Sequence, residues 1–69
     1  MYFNTNVKYL CSSTNTTLTQ LAELLNTSKQ SLNSILNTNN PTAKIIIKIS
    51  QIFVISIDDL LLKDLSKDN

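Results

Sequence analysis

Apolar residues fall at helical spacing in five stretches of this chain, and the gaps between them hold residues that cap and turn. Phe3, Val7 and Leu10 stand at i, i+4 and i+7, which predicts a first helix over about 3–13 with Asn6 and Lys8 outward. Ser12 to Thr16 then break the pattern with residues that compete for backbone hydrogen bonds. Leu21, Ala22, Leu24 and Leu25 predict a second helix over about 18–25. Thr17 is its N-cap, and Gln20 is placed to return a bond to the cap's backbone amide. Asn26 follows, one of the few non-glycine residues that tolerates the left-handed conformation at a helix end. Ser28 caps a third helix over about 28–37, whose stripe is Leu32, Ile35 and Leu36.

Thr38 to Asn40 lead into Pro41, which pushes its predecessor out of helical space. Thr42 caps a fourth helix over about 43–53. There Ile46, Ile49 and Phe53 form a core-facing stripe led by Ala43, leaving Ile45, Ile47 and Ile52 on flanking faces. They are either drawn into the core or left as a partner surface, since soluble monomers rarely expose contiguous apolar patches. Ser56 caps a fifth helix over about 57–65, with Asp58 and Asp59 at the positive end of its dipole and Leu60, Leu61, Leu62 and Leu65 following. Lys67-Asp68-Asn69 reads as a frayed tail. The expectation is an all-α, compact five-helix bundle in a single domain over 1–69.

The second and third helices carry the functional signal. A short turn, a small residue (Ala22) where the helices cross and a capped second member are the parts of a helix-turn-helix. The third helix buries Leu32 and Ile35 in this reading. It offers Ser28, Lys29, Gln30, Asn33, Ser34 and Asn37 outward, side chains short enough to meet base edges in a major groove. A solvated polar face is the plain alternative, and the preceding cap, turn and helix tilt the reading towards nucleic acid.

Composition removes other functions and tempers this one. All six basic residues are lysines and the net charge is only +1, low for a protein that neutralises phosphates. There is no histidine and no glycine, and Cys11 stands alone. Cys/His metal sites, a glycine-rich phosphate loop and base-activated nucleophilic catalysis therefore lack their parts, so neither enzyme nor cofactor is expected. Adjacent Asp58 and Asp59 point apart on a helix and serve its start rather than acid–base work. A single cysteine fits a reducing, cytoplasmic setting. The N-terminal residues do not form a signal peptide, and no apolar run reaches membrane-spanning length.

Taken in order, the chain resembles a Cro/lambda-repressor-like helix-turn-helix domain, the phage-repressor and xenobiotic-response-element type, over roughly residues 3–61. The resemblance rests on Leu21 to Leu25, Thr27 to Leu32, Ile35, Asn40-Pro41-Thr42, Lys48-Ile49 and Ile55 to Leu61. It implies five helices, the third reading DNA, and homodimers on palindromic sites in a bacterial cell, with a phage as one source of the gene. By similarity Ser28, Lys29, Gln30, Asn33 and Ser34 touch bases, while Thr17, Thr19, Asn37, Asn39 and Asn40 approach the DNA backbone. Departures are Leu18 at a usual glutamine, Leu36 at a usually polar position beside the groove, Cys11 at a commonly basic one and Val54 at a usual glycine. The apolar excess at Leu18, Leu36, Ile45, Ile47 and Ile52, with the nearly neutral charge, motivates a second reading, an anti-repressor or antitoxin-like module that binds another regulatory protein. Ile45, Ile52, Leu62 and Leu65 are the candidate dimer or partner surface.

Overall fold

A chain without glycine must end its helices with other residues, and the computed structural model, which describes residues 1–67, shows how. Its elements are α1 (Phe3–Ser13), α2 (Leu18–Leu24), α3 (Lys29–Thr38), α4 (Ala43–Ile52), α5 (Ile57–Leu62) and a 3-10 turn over Leu65–Lys67. Asp68 and Asn69 of the expected tail lie outside the described residues.

Helices α1 to α4 all end in the same way. Asn15, Asn26, Asn39 and Val54 have φ of 59°, 57°, 51° and 52°. After each, the next amide reaches back to the last turn: Thr16 to Cys11, Thr27 to Ala22, Asn40 to Ile35 and Ile55 to Ser50. These are Schellman closures, which need one left-handed residue. Asparagine supplies it three times, at small steric penalty. At the fourth end a valine does so, and it is 90% exposed, so no burial offsets its strain. Val54 thus makes the same closure as the three asparagines and loads it with strain of about 1–2 kcal/mol.

The helix starts follow the sequence closely. Thr17 Oγ1 accepts from the Gln20 amide at 3.1 Å and Gln20 Oε1 accepts from the Thr17 amide at 2.8 Å, a complete capping box. Ser28, Thr42 and Ser56 cap α3, α4 and α5 through the amides of Ser31, Ile45 and Asp59. Phe3, Val7 and Cys11 of α1, Leu21, Ala22 and Leu25, Leu32 and Leu36, Ile49 and Leu60 form the core, against which Leu18, Ile35, Ile46 and Phe53 pack half-buried. Burial pushes the Cys11 thiol pKa up.

Several expectations need correction. Asn6 is buried, not outward: its Nδ2 donates to the carbonyls of Leu60 at 2.7 Å and Lys63 at 2.6 Å, and its Oδ1 accepts from the Leu65 amide at 2.9 Å. One side chain thereby holds the end of α5 against α1. It also accounts for α5 stopping at Leu62 instead of reaching Leu65: the Leu60 carbonyl and the Leu65 amide, which helical bonds would use, bond Asn6 instead, and the chain turns. Leu36 is buried at 1% exposure rather than lying beside a groove, and Ile35, expected inside, is only half-buried. Ala43, expected to lead the core-facing stripe, is exposed; of the two alternatives left open for the flanking isoleucines, the core takes part of Ile45 and Ile52 and leaves Ile47 at the surface.

Candidate nucleic-acid interface

The face that matters is assembled by the joint between α2 and α3. The capping box fixes where α2 starts, the left-handed Asn26 turns the chain sharply, and Ser28 starts α3 at once. Leu21, Ala22 and Leu25 then meet Leu32 and Leu36 in the core, which sets the rotation of α3 about its axis. With that rotation fixed, Lys29, Gln30, Asn33, Ser34 and Asn37 are all exposed.

Their hydrogen bonding separates them from neighbouring polar residues. The Ser28 hydroxyl is engaged within the fold, accepting from the Ser31 amide and donating to the Ser31 hydroxyl, both at 3.0 Å. Thr38 donates to the Ser34 carbonyl at 2.9 Å. The side chains of Lys29, Gln30, Asn33, Ser34 and Asn37 make no hydrogen bond or ion pair with any described residue. Of the five expected base contacts, four therefore present unspent groups on one surface, and Ser28 is mainly a cap.

The expected backbone contacts divide similarly. Thr17 acts as a cap, while Thr19 is exposed in the first turn of α2. Asn39 is tied inward: its Oδ1 accepts from the Asn4 amide at 3.1 Å and its Nδ2 donates to the Met1 carbonyl at 3.2 Å. It thus pins the amino-terminal residues beneath the end of α3, which the sequence pattern did not reveal. Asn40 is exposed, and Lys44 in the first turn of α4 is an exposed cation just beyond it. Lys44 lies outside the helix-turn-helix motif, which therefore does not single it out, although it follows the loop that leaves α3. From Ser28 to Asn40 the chain carries no acidic residue, so nothing on α3 repels a polyanion.

The proposed partner residues do not share one environment. Leu62 is 72% exposed, Ile45 and Ile52 are half-buried against the core, and Leu65 is half-buried in the 3-10 turn. Among the described residues no three metal-ligating side chains cluster, and no helix is long and apolar enough to cross a membrane.

An inward apolar side, an uncommitted polar side and a capped turn between two helices define a DNA-binding helix-turn-helix. A family profile described as helix-turn-helix matches residues 8–60. The chain belongs to that family, the Cro/lambda-repressor-like helix-turn-helix domains, and is in general terms a DNA-binding transcription regulator. No curated protein and no solved structure matches it significantly.

Proposed function

We propose that this chain is a sequence-specific, phage-like repressor that reads the major groove with α3 and binds palindromic operators as a homodimer in the bacterial cytoplasm. The observation that carries this reading is the exposed, uncommitted set Lys29, Gln30, Asn33 and Ser34 on a helix whose apolar side is anchored. The amino end of α3 enters the groove first. Lys29 and Gln30 contact bases there. Thr19, Asn40 and Lys44, with the backbone amides at helix starts, approach phosphates. A dimer of this kind prefers half-sites about 34 Å apart. With a net charge of only +1, binding has a shallow salt slope.

The test is genome-wide capture of DNA bound by the tagged protein, with a Lys29→Ala, Gln30→Ala double variant as control. A palindromic site that disappears with the folded double variant supports the reading. Equal enrichment by both proteins removes α3 from the mechanism.

A second reading, a protein-interaction module on the same fold, draws on one observation: Leu24, Ile47 and Val54 are 59%, 45% and 90% exposed. Leu24 borders a shallow groove with Lys48, Gln51 and Ile52. Ser or Asn at Leu24 and Ile47 then releases a bound regulator while the domain stays folded. If the variants retain every partner and wild-type DNA binding is strong, this reading fails.

A further inference from the structure

Three of the uncommitted side chains on α3 are carboxamides, and they are neighbours. At the 100° per residue of an α-helix, Gln30, Asn33 and Asn37 fall within about 60° of one another around the axis. Lys29 borders this row on one side and Ser34 on the other. The row runs about 10 Å along the helix, which matches roughly three base-pair steps. All three amides are exposed and make no hydrogen bond to a described residue, in contrast to Asn6 and Asn39, whose amides are held inside the fold. Asn37 thus sits with the base-reading set on the helix, ahead of the loop that begins at Asn39.

The rest of the face removes the alternatives. A carboxamide pairs in two-point fashion with N6 and N7 of adenine, and each base type has its own preferred partner. Guanine is read by Arg or Lys, and this chain has no arginine and only Lys29 on α3. Cytosine is read by Asp or Glu, and residues 28–40 contain neither. Thymine methyl groups are read by apolar contact, but Leu32 and Leu36 are buried and the half-buried Ile35 lies about 140° from Gln30 around the axis, away from the row.

Resting on the DNA-binding reading above, we infer that α3 is an adenine reader: Gln30, Asn33 and Asn37 take the N6/N7 edges of adenines in neighbouring steps. The half-site is therefore A·T-rich, with a single guanine beneath Lys29.

The experiment selects duplexes from a random pool with the full chain, then replaces each enriched adenine by 7-deaza-adenine, which lacks the N7 acceptor. An A·T-rich core is expected. At the adenine read by Asn33, the 7-deaza base should weaken binding about ten-fold for the native protein and leave the Asn33→Ala variant, already weakened, unaffected. Asn33 is exposed and unpartnered, so that variant folds, which circular dichroism checks. Enrichment of a G·C-rich core, or indifference of the native protein to every 7-deaza substitution, overturns the inference and leaves DNA binding standing. Folded protein that enriches no sequence defeats the DNA reading and this inference with it.

Discussion

Asn6 and Asn33 are the same residue on helices of similar length, and they have opposite fates. Asn6 is fully buried and spends both ends of its amide on the backbone at the end of α5. Asn33 is exposed on α3 and spends nothing within the fold. The first amide is a brace and the second is available for a ligand. The difference arises from what faces each helix: α1 meets the unfinished carbonyls of a six-residue helix, whereas the corresponding side of α3 meets solvent. A buried polar group must find partners, and Asn6 finds them across more than fifty residues of chain.

The sharpest way to break this contrast is Asn6→Ala. It leaves the Leu60 and Lys63 carbonyls and the Leu65 amide without their partner, and should lower stability by about 3 kcal/mol in urea unfolding. Asn33→Ala is the converse. Its stability should stay within about 0.5 kcal/mol of native, while discrimination between its best site and a mismatched one falls by about 1–3 kcal/mol in titrations with labelled duplex. A large stability loss in Asn33→Ala would mean that this amide is structural after all.

The left-handed helix ends extend the comparison to a place where the residue type is wrong for its task. Val54→Gly removes a strained, 90% exposed side chain and should raise stability by about 1 kcal/mol. For a domain of this size that is a rise in melting temperature of about 4–8 °C, read by calorimetry. Thr17→Ala undoes half of the capping box and should lower stability by about 1 kcal/mol, with helix content otherwise retained. The smallest effect concerns Cys11. Burial raises its folded-state pKa, so the unfolded thiol ionises first as pH rises. Its contribution is complete below the ordinary thiol range and fades above it, and Cys11→Ala should flatten that part of the stability–pH profile.

The helix starts and turns were legible because they depend on neighbours in sequence. Thr17 with Gln20, Ser28, Thr42 and Ser56 each act within three residues of themselves, and Asn26 was readable as a left-handed end for the same reason. Most of the candidate interface was legible too, since the outward side of α3 follows from its stripe. What was not legible depended on distant packing. The resemblance placed Leu36 beside the groove, whereas its position in the stripe with Leu32 and Ile35 pointed inward, and it is buried in the core. Ile45 and Ile52 looked surplus until the core took part of each.

Local rules of capping, turning and periodicity thus determined the five helices, their starts, the helix-turn-helix and the polar face of α3 from the sequence alone. The tertiary structure decided which polar groups were already spent. Asn39 was expected at the DNA backbone and instead holds Met1 and Asn4, and Asn6 was expected outside and instead closes the fold. The physical reason is that an amide's role is set by the donors and acceptors brought within about 3 Å of it, and these come from segments far away in the chain.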